Sequence, residues 1–125
     1  MSLFISFASL DGVHVNQHFG WCEKFYMYKI DTQSYTFVTE LDASLEVEEE
    51  SDKLNYKIEC LGRTQIVCVS QIGPKAATLV QARGIYPMRS KNEEEKIEDV
   101  LKTLQTLLNG TTPLWLKRIV LKNES

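Results

Sequence analysis

The period of apolar and polar positions changes several times along the chain, and each change marks an element. Leu3–Ala8 is rich in β-formers and ends at the Asp11-Gly12 turn, which predicts a first strand. The stretch 13–20 holds no sustained period and reads as a loop. Residues 24–31 (KFYMYKID) and 35–41 (YTFVTEL) are aromatic and β-branched, and the short polar link between them predicts an antiparallel hairpin. Beyond Leu41 the period lengthens. Leu54, Ile58 and Leu61 recur at helical spacing behind an acidic start at 46–50, and Gly62 stops the run. Ile66–Val69 (IVCV) is a continuous apolar run, as in a strand covered on both faces. Gly73-Pro74 opens a second helix that Gly84 closes. Residues 85–88 follow as a short strand, which Pro87 places at a sheet edge. Asn92, with Glu95 three residues on, has the capping-box pattern ahead of a helix. Its stripe is Ile97, Val100, Leu101, Leu104, Leu107 and Leu108, and Gly110 ends it. From 113 to 122 the chain alternates loosely and is locally basic.

The order β-β-β-α-β-α-β-α combines a meander with a βαβα half whose crossovers are right-handed. It predicts an α/β fold: a three-layer α/β/α, ribonuclease-H-like architecture with a five-stranded mixed sheet of order 3-2-1-4-5 and helices on both faces. In that order the first and fourth strands are parallel neighbours. The loops after them, 9–21 and 70–75, leave the same edge, where open α/β sheets bind ligands.

Composition narrows the function without naming it. The chain has 125 residues, enough for one domain, with 43% hydrophobic and 25% charged residues as in ordinary soluble proteins. A net charge of −3 argues against a nucleic-acid-binding domain. No apolar run approaches the ~20 residues of a membrane span, and the N-terminus has no basic region of a signal peptide. The three cysteines form no CxxC, which fits a reducing cytoplasm.

Candidate chemistry gathers at the shared edge. His14, His18 and Cys22 are spaced four apart, and imidazole and thiolate suit zinc, copper or iron. The spacing is no zinc signature; a solvated His14 and a packed Cys22 fit it as well. Cys60 and Cys68 read as small core hydrophobes. The turn Gln71-Ile72-Gly73-Pro74-Lys75 begins a helix whose free N–H groups favour an anion, with Lys75 adding charge. A plain turn with a solvated lysine is the simpler alternative. Arg89 is placed to reach the same edge or to be solvated. No phosphate-binding glycine motif is present. The first strand lacks the carboxylates a two-metal nuclease needs.

The residues resemble a known family. Asp11-Gly12, then Val15-Asn16-Gln17-His18-Phe19-Gly20, Cys22 and Phe25, resemble the D-G…V-N-x-H-F-G…F signature of nitrogenase cofactor-binding domains. Val69-Ser70-Gln71-Ile72-Gly73-Pro74-Lys75-Ala76-Ala77, through Leu79 to Gly84-Ile85-x-Pro87, is similar to the same family's I-G-x-x-A…L…G-I-x-P stretch. Pro113-Leu114-Trp115-Leu116 resembles the P-x-W-L ending of its NifX branch, beside NifY and NafY. The resemblance implies a carrier and not an enzyme. It implies a nitrogen-fixation accessory protein that transiently binds iron–molybdenum cofactor or its iron–sulfur precursor, the NifB product. It also implies NifB and the NifEN scaffold as partners, with no nucleic acid or membrane. It places the motif histidine on His18 and a cysteine of some relatives on Cys22, as cofactor and metal ligands; it places none on His14. Gly73, Lys75 and Arg89 complete the expected cofactor-binding set. The expected organisation is a cofactor-binding α/β domain over 1–110 and a C-terminal tail over 111–125. The competing reading is a metal-free interaction or regulatory module of nitrogenase assembly.

Overall fold

The computed structural model describes residues 2–44 and 49–124. Its elements run β1 (Leu3–Ala8), β2 (Lys24–Ile30), β3 (Tyr35–Asp42), α1 (Glu50–Cys60), β4 (Ile66–Val69), α2 (Pro74–Ala82), β5 (Tyr86–Arg89), α3 (Ile97–Asn109) and α4 (Leu114–Glu124). The sheet order is β3-β2-β1-β4-β5, as the sequence predicts. β1 pairs antiparallel with β2 and parallel with β4, with Ile5 opposite Ile66 and Phe7 opposite Cys68. β4 pairs parallel with β5, and the β2–β3 hairpin is antiparallel.

Strand alternation divides the interior into two layers. Ala8, Val67 and Val69 face a cluster with Leu54 and Ile58 of α1 and Ala76 and Val80 of α2. Leu3, Ile5, Phe7, Ile66 and Cys68 face the other side, against Val100, Leu101 and Leu104 of α3 and Leu116 of α4. Both faces of β1 and β4 are therefore covered, which is why β4 reads as a continuous apolar run. The result is the three-layer ribonuclease-H-like arrangement.

Three features differ from the sequence reading. The acidic helix start at 46–50 lies partly outside the described residues, and α1 begins at Glu50. α3 begins at Ile97, not behind an Asn92 cap. Asn92 Oδ1 instead accepts from Glu94 N at 2.8 Å, and Glu95 Oε1 accepts from Lys91 N at 2.9 Å, so the pair builds a turn. The backbone at 95–97 is drawn into pairing with the β1–β2 loop: Val15 N donates to Glu95 O at 2.9 Å and Ile97 N to Val13 O at 2.8 Å. The loosely alternating segment after Pro113 is the helix α4. Trp115 stacks on Tyr86 with ring centroids 4.4 Å apart, and Leu116 is fully buried.

Candidate functional site

The β1–β2 loop is sewn to the edge it crosses. Ser70 N donates to Gln17 O at 3.0 Å and Phe19 N to Gln71 O at 2.9 Å, extending the parallel β1–β4 relationship past the strand ends. Val15 and Phe19 are fully buried and pin the loop from beneath. At its start, Gly12 takes a positive φ of 76°, which favours glycine. Asp11 Oδ1 accepts from Val13 N and His14 N, both at 2.9 Å, and Asp11 Oδ2 lies 2.7 Å from His14 Nδ1. These bonds, the His14 N–H foremost, hold the Asp11 carboxyl well below the usual carboxylate range. His14 is thereby tied into the loop's own turn.

His18 occupies the seam between the loop and the turn after β4. Trp21 N and Cys22 N both donate to His18 O, at 3.1 and 3.0 Å, so the chain doubles back directly after it. The imidazole is one-third exposed, with Nε2 3.8 Å from Glu93 Oε1. Trp21 stacks on it with centroids 4.7 Å apart and planes 11° apart, while the indole is itself 73% exposed. The ring is thus fixed in direction by stacking and left open at its edge.

Across the seam, Gly73 is the N-cap of α2, followed by Pro74 in the first turn, with no acidic residue in that turn. Gly73 has an ordinary φ of −72°, and a Cβ there would meet nothing within 4 Å. Folding does not demand glycine at this position, whereas close approach to the backbone by a ligand would. Lys75 is exposed in the first turn of α2. Arg89, exposed, ends β5 in register with Val69, the last residue of β4. His18, Gly73, Lys75 and Arg89 are therefore carried by segments leaving one edge of the sheet. At the same edge the buried Ser70 hydroxyl has no hydrogen-bond partner, the single such side-chain atom among the described residues.

Cys22 is placed differently. Its side chain is fully buried, and its thiol donates to Lys24 O at 2.7 Å. Burial pushes that thiol up to about 11. The closed loop therefore presents His18 to solvent and turns Cys22 into the core. Cys68 is buried in β4, where burial raises its thiol further, and Cys60 is half-buried against the α1–α2 cluster. Among the described residues, no three His, Cys, Asp or Glu side chains gather as a metal site. No helix there is long and apolar enough to cross a membrane.

Two contributors escape sequence reasoning. Glu93 meets His18 only because the turn before α3 is hydrogen-bonded to the loop, a long-range fact without local signal. Lys57 of α1 is 4% exposed and donates to the carbonyl oxygens of Cys22 and, at 3.4 Å, Ala43. Its spacing, three residues after Leu54 and four before Leu61, puts it on the apolar stripe of α1, but a lysine charge reads as solvent-facing until its carbonyl acceptors are seen.

This edge and sheet define a ribonuclease-H-like α/β domain that offers one oriented imidazole beside an open helix N-terminus. Comparison with known proteins gives the particular family: a profile described as "Dinitrogenase iron-molybdenum cofactor" matches residues 1–107, and the chain belongs to that family. It is 32% identical to Protein NifX of Herbaspirillum seropedicae over 96% of this chain and 83% of that protein. It is 30% identical to Protein NifX of Rhodobacter capsulatus, over 94% and 77% respectively. A crystal structure of the protein PH0822 superposes with a TM-score of 0.57 at 25% identity, covering 85% of this chain and 89% of that one. A crystal structure from Methanocaldococcus jannaschii shares the fold, with a TM-score of 0.59 at 7% identity, over 86% of this chain and 92% of its own.

Proposed function

We propose that this protein is a nitrogenase accessory carrier. It binds iron–molybdenum cofactor or its iron–sulfur precursor, the NifB product, as passing cargo between NifB and NifEN. The observation that carries the reading is the half-open His18 ring, oriented by Trp21 at a seam that also bears an acid-free helix N-terminus.

The residue set suits an anionic, iron-containing cargo. His18 supplies a borderline-soft nitrogen ligand through its open edge. The Gly73 end of α2 supplies backbone N–H groups and the positive end of the helix dipole. Lys75 and Arg89 add positive charge, so the cluster's negative charge is offset without a closed set of ligands. Cys22 joins as a ligand only after the 18–22 turn opens; in the closed loop it is packing. Few ligands make release as easy as capture, which is what separates a carrier from a resident cofactor site. Glu93 works against anionic cargo. It lies 3.8 Å from the ring, beyond hydrogen-bond length, on an exposed side chain, so it moves aside at little cost.

The test is anaerobic loading of the apo-protein with purified NifB product. His18→Ala is expected to weaken binding at least about tenfold, the scale of one lost metal ligand or close charge pair. Glu93→Gln is expected to strengthen it by about two- to fivefold, as removal of an exposed like charge would. Unchanged iron stoichiometry and affinity in His18→Ala would count against the carrier reading.

A further inference from the structure

α4 carries a face that the domain does not use. Its inner side is committed: Leu116 is fully buried, Trp115 stacks on Tyr86, and Ile119 packs against the α3 cluster. Asn123 clamps its far end, donating through Nδ2 to Ser2 O at 2.8 Å and accepting at Oδ1 from Gln65 Nε2 at 2.9 Å. Ser2 and Gln65 immediately precede β1 and β4, so α4 is anchored at the sheet edge opposite the His18 seam. Leu114, Lys117, Arg118 and Leu121 fall at i, i+3, i+4 and i+7, one stripe of the outer side. Leu114 is 62% and Leu121 58% exposed, and both cations between them are exposed. Among the described residues, neither Lys117 nor Arg118 has an ion-pair partner.

We infer that this stripe is a docking surface for an acidic amphipathic helix on a cofactor-assembly partner. The inference rests on the accessory reading above. Two leucines two helical turns apart, about 10.5 Å, flank two cations in a protein of net charge −3. That pattern matches a partner helix with apolar anchors at the same spacing and carboxylates between them. The clamp at Asn123 and the buried Leu116 hold the stripe rigid before contact, so little ordering is needed on binding. The same commitment disfavours a lipid surface. A membrane-lying helix needs a broad free apolar face, and here that face is in the core. The family profile ends at residue 107. The alignment with the Herbaspirillum NifX covers 96% of the chain and so reaches into α4. The helix thus follows the segment the profile covers while its inner side packs in the same core, which leaves the outer stripe with no part in the fold. A partner docked there leaves the His18 seam open.

The probe is purified NifEN, with binding measured by calorimetry at low and physiological salt. The variants are Lys117→Glu/Arg118→Glu and Leu114→Ser/Leu121→Ser, all exposed positions. Each double variant is expected to weaken binding about tenfold or more, and the charge reversal to invert its salt dependence, since salt screens repulsion as it screens attraction. Melting temperature and loading with NifB product are expected to stay at wild-type values. Wild-type binding retained by both variants would overturn the docking face while leaving NifEN as a partner. No binding by the wild type would remove both the partner and the face, with cluster loading unaffected. Two other results would overturn it in favour of another occupant. One is charge-dependent binding to 7:3 phosphatidylcholine–phosphatidylserine vesicles in place of NifEN. The other is a wild-type dimer in sedimentation that the reversal dissolves.

Discussion

His18 and Cys22 stand at the two ends of one turn, and burial gives them opposite chemistry. The imidazole keeps a third of its surface in water; the thiol has none and donates to Lys24 O. A thiol pushed up to about 11 is protonated at neutral pH and a poor nucleophile. Since the raised value favours the neutral form, its contribution to stability is complete below the ordinary thiol pKa. It fades as pH rises through 11. At pH 8 an alkylating reagent is therefore expected to modify half-buried Cys60 first, and Cys22 and Cys68 only on unfolding. Mass mapping of the modified peptides checks this; early labelling of Cys22 would show that the 18–22 turn opens readily. At this scale the sequence was a partial guide. The spacing of four offered His14, His18 and Cys22 alike, and only the family resemblance singled out His18 and Cys22. The direction of each side chain depends on a turn closed by two N–H bonds to His18 O, which spacing alone does not encode.

Among the elements, α1 steadies the loop through one side chain. Lys57 reaches from the helix to the carbonyls of Cys22 and Ala43, joining the start of β2 to the end of β3. Burial holds its ammonium below the usual lysine range, yet the two acceptors keep it satisfied. Lys57→Met keeps most of the volume and leaves those carbonyls unpaired. It is expected to destabilise the fold by about 1–3 kcal/mol and to speed amide exchange at Trp21 and Cys22. Melting curves and hydrogen exchange check it; wild-type values in both would show that Lys57 is a spectator. Elements set by local rules were legible in the sequence: β1 by its β-formers and the Asp11-Gly12 turn, β4 by its apolar run, α2 by Pro74 and Gly84. α3 was legible in its stripe but not its start, because residues 95–97 answer to Val13 and Val15 across the fold. α4 was hidden because LWLKRIVL fits both an alternating and a helical period over so few residues.

The two proposed surfaces lie at opposite ends of the sheet. Segments leaving the C-terminal ends of β1 and β4 build the His18 seam, while α4 is fastened ahead of their N-terminal starts. The three-layer core separates the two ends, so on the proposed reading cargo and partner would be met by separate surfaces. Family membership was legible because the two motif blocks fall on the two loops that meet at the seam; their convergence is a consequence of the strand order. On the proposed function the His18 imidazole ligates the cargo. The chain has only two histidines, so uniform 15N-histidine labelling gives a simple readout. Pulsed electron paramagnetic resonance of the loaded, paramagnetic protein is expected to show one 15N coupling to the cluster in wild type. The coupling should persist in His14→Gln and vanish in His18→Ala. A cluster bound at wild-type affinity without that coupling, or a coupling that survives in His18→Ala, would contradict the account.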